Sequence, residues 1–355
     1  MIERPILLDR NENQYGPAPA CFEVLRQAGL HELSFYSRDY ERKVKSKLSE
    51  RLAEDLRLPE ERILLSYGSE DMLKQAIHCY LKPGEKILIP NLSWWYYKSV
   101  AAEVDGIAVE YPLLEGTESF SYNMERILEL MKKEKQRILL IASPNNPTGN
   151  SLPYEDLHTI LEETTDTLVV LDEAYWGFTE HPPKDSTQLL NVSENLLILR
   201  TFSKFYALAG VRIGYACAGK NLSRLIKFST RYLGYNFLSE ELALAALDSQ
   251  RYYEEMRTKI IGEREKYVRQ LDALPSWKPF QSDANFLLVR IPHGMGKELK
   301  NWLLKKGIAV KFYDEGTLQD CIRITVSREE QNDLLLGELK EFAEQCSLVE
   351  SPVPR

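Results

Sequence analysis

The residues most able to do chemistry lie in RTFSKFYALAGVRIGY at 200–215. Most lysines are solvated surface charges, but Lys204 stands between apolar segments that would desolvate its amine, as a lysine that forms a Schiff base requires. Thr201 and Ser203 precede it with two hydroxyls, and Arg212 follows between glycines that permit close approach. The segment therefore predicts a reactive lysine beside a phosphate site, although Arg212 has a structural ion pair as its alternative.

Two further motifs carry groups suited to an aromatic ring. SPNNPTG at 143–149 predicts a sharp loop after an apolar run, and its Asn146 can donate to a phenolic oxygen. LDEAY at 171–175 supplies Asp172, whose carboxylate suits a protonated pyridine nitrogen, and Tyr175, which can donate to the same phenolic oxygen. Each also has an ordinary interpretation, as a turn cap, a helix cap or an ion-pair partner.

A second phosphate-binding candidate lies in YGSED at 67–71, between a predicted strand and a predicted helix. Amide groups at a helix start can hold a phosphate, helped by the helix dipole. Gly68, Ser69 and Glu70 would lie there. The motif is weak by itself, because Ser69 as an ordinary N-cap gives the same pattern.

The elements that must position these motifs follow an α/β pattern. Short apolar runs alternate with amphipathic segments between residues 62 and 218, and several runs lack alternation, as strands buried on both faces do. Such sheets bind ligands beyond the carboxyl ends of their strands, where all four motifs fall. The predicted strands are 62–66, 86–90, 107–111, 137–142, 168–172, 196–200 and 213–218, with helices near 70–80, 123–134 and 153–163.

The texture of the chain changes after residue 238. Residues 240–274 predict one long helix that links two domains, whereas the first thirty residues look irregular. The segments that follow predict a small α+β domain, with strands at 286–291, 308–311 and 321–326 and helices at 295–306 and 328–345. We predict an N-terminal arm (1–30) that packs with the small domain, a large α/β domain (31–245) and a small domain (246–355).

Composition excludes several classes of protein. The net charge of −8 argues against a nucleic-acid-binding surface. Five scattered cysteines and five scattered histidines lack the spacing of zinc ligands, so we predict no metal site. The beginning lacks the layout of a signal peptide, and no apolar run approaches the ~20 residues of a membrane span, so a cytoplasmic location is predicted.

Taken in order, these motifs resemble those of the fold-type I, class I/II pyridoxal-phosphate (PLP) aminotransferases, most closely their histidinol-phosphate aminotransferase branch. The resemblance covers nearly the whole chain and includes LDRNENQYGPAP at 8–19, SDANFLLV at 282–289 and CIRITV at 321–326. It implies a large, mostly parallel sheet flanked by helices, a smaller α+β domain and a homodimer. It also implies transfer of an amino group from histidinol phosphate or an aromatic amino acid to a 2-oxo acid such as 2-oxoglutarate.

The resemblance assigns roles to the residues of the four motifs. Lys204 would hold PLP as a Schiff base, Asp172 would pair with its pyridine nitrogen, and Asn146 and Tyr175 would contact its phenolic oxygen. Lys204, Asp172 and Tyr175 are the predicted catalytic residues. The predicted phosphate contacts are Gly68, Ser69, Glu70, Thr201, Ser203 and Arg212.

Aromatic residues complete the implied cofactor site. In IPNLSWW at 89–95, Trp95 is the first choice for stacking on the ring, and Trp94 is the second. The family also uses a tyrosine from the partner subunit at the phosphate, and Tyr36 is its implied counterpart.

The implied substrate contacts are Arg323, Asn146, Tyr15 and Lys311. Within CIRITV, the two-residue strand period turns Arg323 away from the apolar face, and the resemblance puts its guanidinium over the site, where it could bind a carboxylate or phosphate. Lys311 stands where the family usually has an arginine, which leaves the identity of the substrate open. A decarboxylase resembling threonine-phosphate decarboxylase and a non-catalytic PLP-binding protein are the alternatives.

Overall fold

The computed structural model describes residues 5–164, 166–179, 184–314 and 316–349. Apolar runs form the strands, and amphipathic segments form most of the helices between them. In chain order the elements are β1 (Ile6–Leu8), α1 (Pro19–Gln27), α2 (Leu30–Ser34), α3 (Lys47–Leu56), β2 (Ile63–Ser66), α4 (Ser69–Tyr80), β3 (Lys86–Pro90), α5 (Tyr96–Ala102), β4 (Ile107–Tyr111), β5 (Leu113–Glu115), β6 (Phe120–Tyr122), α6 (Met124–Glu134), β7 (Ile138–Ala142), α7 (Tyr154–Glu162), β8 (Leu168–Asp172), β9 (Leu196–Thr201), β10 (Gly214–Ala218), α8 (Ser223–Ser229), α9 (Phe237–Leu247), α10 (Gln250–Asp272), β11 (Lys278–Pro279), β12 (Phe286–Arg290), α11 (Gly296–Lys305), β13 (Ile308–Tyr313), β14 (Cys321–Thr325) and α12 (Glu329–Val349).

Seven strands of the described chain form a large sheet in the order β2-β10-β9-β8-β7-β3-β4. β10 runs antiparallel to both of its neighbours, and the remaining pairs are parallel. Successive residues of one strand enter different cores: Leu139 and Ile141 join one, and Leu140 and Ala142 join the other. Burial on both faces explains the absence of alternation in the sequence. The predicted mostly parallel sheet flanked by helices is confirmed.

A second sheet, near the C-terminal part of the chain, has the order β1-β13-β14-β12-β11 within the described residues. Its edge strand β1 comes from the N-terminus and pairs in parallel with β13, Ile6 opposite Ile308. The expectation of an irregular first thirty residues is therefore wrong at β1 and at α1. A three-residue strand is too short to show a period, and Pro19 is the first residue of α1, a position that proline tolerates well.

The predicted continuous helix over 240–274 is also wrong, because it is divided into α9 and α10. Ser249 takes a non-helical backbone conformation (φ −99, ψ 37), and its hydroxyl donates to the carbonyl of Ala245 at 2.8 Å. Such a local side-chain bond competes with the helical ladder. No helix in the described part of the chain combines the length and apolar character that crossing a membrane requires.

Candidate active site

The four motifs meet at one edge of the large sheet. Asp172, the last residue of β8, pairs with Ala142, the last residue of β7. Gly214, the first residue of the antiparallel strand β10, lies opposite both Thr201 at the end of β9 and Ser66 at the end of β2. The loops that follow β2, β7, β8 and β9 therefore leave the sheet together, as expected for a ligand site of an α/β sheet.

Asp172 is a buried carboxylate that lacks a cationic partner. It is 6% exposed, and its oxygens accept hydrogen bonds from the Tyr97 hydroxyl at 2.8 Å and the Ala174 amide at 3.0 Å. Burial raises the pKa of Asp172, and these two hydrogen bonds offset only part of that rise. Among the described residues no lysine, arginine or histidine forms an ion pair with it. A cationic ring nitrogen would supply the missing countercharge.

Lys204 lies under the N-terminal segment. Its Nζ donates to the backbone oxygens of Arg10 at 3.0 Å and Asn11 at 3.3 Å. The same nitrogen lies 5.6 Å from the centre of the Tyr175 ring. The structure thus brings two of the predicted catalytic residues together. Burial, then Asp172 and lastly Tyr175, raise the pKa of the nearby Tyr97.

Arg212 and Gly68 form a cradle suited to an anion. The Arg212 guanidinium lies 3.4 Å from the Ser203 hydroxyl and donates to the carbonyl of Tyr67 at 3.1 Å. Gly68 has φ +92, and a Cβ there would lie 2.9 Å from Nη2 of Arg212, so only glycine leaves this space open. Thr201 lies beside Ser203, their hydroxyl oxygens 3.0 Å apart.

The start of α4 belongs to the same cradle. Ser69 is its first residue, and the Gly68 N-cap has no side chain to satisfy the first amides. Glu70 approaches Arg212 at 3.8 Å, and both side chains are about half exposed. A phosphate would meet the amides of the helix start and the guanidinium here.

The residues of this site lie at the same edge of the large sheet and leave charged or polar groups available to a ligand. We call Tyr97, Asp172, Tyr175, Ser203, Lys204 and Arg212 the open cluster.

The predicted substrate arginine faces this region from the small sheet. Arg323 is 7% exposed and donates from Nη1 to Oδ1 of Asn146 and from Nη2 to the carbonyl of Asp9. Its Nε is buried without a hydrogen-bond partner. Lys311 lies directly opposite Arg323 on β13 and is exposed. Residues directly opposite on neighbouring strands share a face, so both cations lie on one side of the sheet.

The two tryptophans that could stack on the cofactor ring differ in burial. Trp95 is 68% exposed, and its ring contacts that of Tyr96. Trp94 is partly buried, and its ring centre lies 5.8 Å from that of Tyr97, which is bonded to Asp172. The choice between Trp95 and Trp94 as the stacking residue therefore stays a prediction.

Tyr36 and Tyr15 are not brought to the open cluster of their own chain. Tyr36 is 64% exposed, which leaves its predicted role at a partner's site as a prediction. Tyr15 lies near acidic residues: burial, then Glu263 and Glu329, raise its pKa to about 12. Its predicted contact with substrate also stays a prediction.

A neighbouring set of charged and polar side chains, which the sequence analysis did not predict, is paired internally. Arg200 is 4% exposed and donates to Glu173 at 2.7 Å and to Asp185 at 2.8 Å. The Ser186 hydroxyl donates to the other oxygen of Glu173 at 2.6 Å. We call Glu173, Asp185, Ser186 and Arg200 the closed network. Two of its members stand inside quoted motifs, but the sequence carries no signal that pairs them.

Tyr97 and Asn11 were also missed. Tyr97 follows the two tryptophans, and Asn11 lies in LDRNENQYGPAP, a motif that was recognised without a role for this residue.

The combined geometry fits PLP: a carboxylate without a cation for the ring nitrogen, a lysine amine beside Tyr175, and a glycine-lined cradle at a helix start for the phosphate. Lys204, Asp172, Asn146, Tyr175, Ser203 and Arg212 would hold it.

Comparison with known proteins supports the same reading. The family model described as "Aminotransferase class I and II" matches residues 3–339. A histidinol-phosphate aminotransferase of Ruminiclostridium cellulolyticum is 33% identical over 342 residues, which are 94% of this chain and 91% of that protein. Histidinol-phosphate aminotransferase 1, chloroplastic, of Arabidopsis thaliana is 34% identical over 95% of this chain and 78% of its own.

Solved structures share the fold. The histidinol-phosphate aminotransferase of Sinorhizobium meliloti, in complex with pyridoxal-5'-phosphate, has a TM-score of 0.86 at 24% identity and covers 97% of this chain and 92% of its own. The L-threonine-O-3-phosphate decarboxylase of Porphyromonas gingivalis has a TM-score of 0.79 at 21% identity, covering 96% and 99%. The fold is therefore common to both activities, and the sequence relatives distinguish between them.

Proposed function

Because this chain belongs to the class I and II aminotransferase family, we propose that it moves the amino group of histidinol phosphate to a 2-oxo acid such as 2-oxoglutarate. It is a PLP-dependent aminotransferase, since curated relatives at 33–34% identity over nearly the whole chain are aminotransferases. The decarboxylase alternative has less support, because it rests on similarity of fold.

In this proposal the residues of the open cluster bind and orient the cofactor and transfer the proton. Bound PLP supplies the electron sink for bonds at the substrate α-carbon. Asp172, kept anionic by the ring's positive charge, holds the ring nitrogen protonated. Nζ of Lys204 anchors the cofactor and, once free, moves the α-proton as a general base and acid. Arg212, Ser203 and the start of α4 fix the phosphate.

One observation carries the choice of a phosphorylated donor: the position of two cations on one face of the small sheet. Arg323 has a buried Nε without a partner, and Lys311 lies directly opposite it with an exposed side chain. A substrate phosphate could accept from both, the guanidinium with two parallel bonds and the ammonium as a point charge. An aromatic amino acid has no second anion for Lys311.

Exposed apolar residues support a homodimer. Leu30 is 76% exposed and Leu33 is 73% exposed in α2, which precedes Tyr36 in the chain, and Tyr232 is 77% exposed with its ring centre 5.9 Å from that of Tyr40. Several large apolar side chains exposed close together indicate an interaction surface. We propose that a second copy of the chain covers this surface and receives Tyr36 at its cofactor phosphate. A cytoplasmic location also stays a proposal.

The test is a screen of amino donors against 2-oxoglutarate with purified holoenzyme. We expect turnover of histidinol phosphate and little turnover of phenylalanine, tyrosine or tryptophan. Lys311→Ala should raise KM for histidinol phosphate about tenfold, in line with one charge-assisted hydrogen bond, and Lys311→Arg is the matched control that should retain activity. An inert histidinol phosphate together with reactive aromatic acids would refute the proposed donor. Release of carbon dioxide from threonine phosphate would indicate the decarboxylase.

A further inference from the structure

Asn11 joins the N-terminal segment, the small sheet and the open cluster. It is 1% exposed and has φ 55, a left-handed conformation that asparagine tolerates better than most residues. Its backbone amide donates to the Thr325 hydroxyl at 2.9 Å, and its Nδ2 donates to the Tyr175 hydroxyl at 2.9 Å. Its carbonyl accepts from Asn285 at 3.1 Å and from Lys204 at 3.3 Å.

The hydrogens along this chain of bonds have fixed directions. The Thr325 oxygen accepts from the backbone amide of Asn11, and the Thr325 hydroxyl donates its own hydrogen to Oδ1 of Asn11 at 3.3 Å. An amide side chain with its oxygen turned toward Thr325 must turn its NH2 group toward Tyr175. A tyrosine hydroxyl has a single hydrogen. Because the Tyr175 oxygen accepts from Asn11, that hydrogen is left for another acceptor.

Asn146 is oriented from the same strand. Arg323 donates to Oδ1 of Asn146, so the NH2 group of Asn146 is also left to donate elsewhere. Arg323 and Thr325 are two residues apart on β14 and share one face by the strand period. One strand of the small sheet thus orients both side chains predicted to contact the phenolic oxygen, Asn146 directly and Tyr175 through Asn11.

We propose that Asn11 is a positioning residue that directs the Tyr175 hydrogen to the phenolic oxygen of the cofactor. The inference rests on the role proposed for Tyr175. A donated hydrogen bond stabilises negative charge on the phenolic oxygen. The proton that this oxygen shares with the nitrogen of Lys204 is therefore released at a lower pH when Tyr175 donates than when it does not.

The experiment follows the absorbance of the bound cofactor against pH in the holoenzyme. Asn11→Ala should raise the midpoint of this titration by roughly half a pH unit, because one oriented hydrogen bond is weakened. Tyr175→Phe should raise it by about one unit, because the bond is removed. Asn11→Ala added to Tyr175→Phe should produce no further shift, since the two residues act through one hydroxyl.

Thr325 provides a matched pair of variants for the case in which Asn11→Ala does not fold. Thr325→Val removes the hydroxyl and should move the midpoint in the same direction, whereas Thr325→Ser retains the hydroxyl and should leave it near the wild-type value. An unchanged midpoint in Asn11→Ala, or an equal shift in the Tyr175→Phe background, would overturn the inference. A Tyr175→Phe variant with the wild-type midpoint would instead refute the role proposed for Tyr175.

Discussion

Two adjacent carboxylates at the end of β8 have opposite surroundings. Glu173 belongs to the closed network, where Arg200 and Ser186 satisfy both of its oxygens. Asp172 is equally buried, but it receives only two neutral hydrogen bonds, from Tyr97 and the Ala174 amide. The strand period turns the two side chains to opposite sides of the sheet.

The same contrast holds for the arginines. Arg200 is buried and paired with two carboxylates, whereas Arg212 is half exposed and approaches a single carboxylate, that of Glu70, at 3.8 Å in the described structure. Charges that are matched inside the protein stabilise the fold. Charges that are left without a close partner at the end of a sheet indicate a ligand with the complementary charges. PLP offers a cation for Asp172 and an anion for Arg212.

Asp172→Asn should have the largest effect on catalysis. The amide cannot hold a positive charge on the ring nitrogen, so kcat/KM should fall about 10³-fold, the scale of losing a preorganised electrostatic group. The folded state should persist, since a buried charge is removed. Steady-state kinetics and circular dichroism measure these two outcomes. A variant with nearly normal kcat/KM would contradict the assignment of Asp172, rather than Glu173, to catalysis.

Glu173→Gln should affect stability instead. It leaves Arg200 buried with one partner fewer, and breaking a buried ion pair costs about 3 kcal/mol or more of unfolding free energy. Glu155→Gln is the control, because Glu155 pairs with Lys184 at the surface, where an ion pair contributes little to stability. Urea unfolding of the three proteins gives the comparison. Equal losses of unfolding free energy in both variants would show that the buried Glu173–Arg200 pair stabilises the fold no more than a surface pair does.

Gly68→Ala should weaken cofactor binding by about tenfold, because the added Cβ displaces the Arg212 guanidinium and the backbone is strained at φ +92. Gly210→Ala is the matched control in the same loop as Arg212, since a Cβ there meets open space. Fluorescence titration of each apoprotein with PLP measures the dissociation constants. If both variants bind PLP equally well, the cradle does not hold the phosphate.

The two regions should also respond oppositely to pH. Burial raises the pKa of Asp172 above 3.8, so its contribution to stability is present below 3.8 and is lost as pH rises through the raised pKa. For Asp185, burial acts to raise the pKa, but Arg200 and Thr187 outweigh it and lower the pKa below 3.8. Its contribution is therefore present above 3.8 and lost as pH falls through the lowered pKa.

Melting temperatures of the apoproteins test this difference. The advantage of Asp172→Asn over the wild type should grow as pH rises from 3.8 toward neutrality. The deficit of Asp185→Asn should shrink as pH falls below 3.8. A gap that stays constant with pH in either variant would contradict the corresponding assignment.

The sequence predicted the large sheet well, because its strands are uninterrupted apolar runs. The predicted bounds of β3, β4 and β8 agree with the structure, and most of the residues proposed to hold the cofactor lie at or shortly after the ends of such strands. Elements too short to show a hydrophobic periodicity were not predicted, among them β1, the β5–β6 hairpin and the short helices α2, α5 and α8. The break at Ser249 was hidden because the apolar spacing continues on both sides of it.

The motifs predicted which segments form the candidate site, but they did not predict the contacts within it. Asn11 and Thr325 are 314 positions apart, and nothing in either segment indicates that they meet. The Tyr97–Asp172 bond depends on how α5 packs on the sheet, because the two residues are 75 positions apart in the sequence. Pairing within the closed network depends on Asp185, which stands outside every recognised motif. The sequence thus predicted which residues belong to the candidate site, whereas the contacts between them became visible only in the folded structure.

Reduction of the holoenzyme with borohydride tests the central claim most directly. Borohydride fixes an imine between a lysine and PLP as a stable amine, and peptide mass spectrometry then locates the pyridoxyl group. We expect it on the peptide that contains Lys204, and we expect no labelling of Lys204→Ala. A pyridoxyl group on another lysine, or none at position 204, would contradict the account.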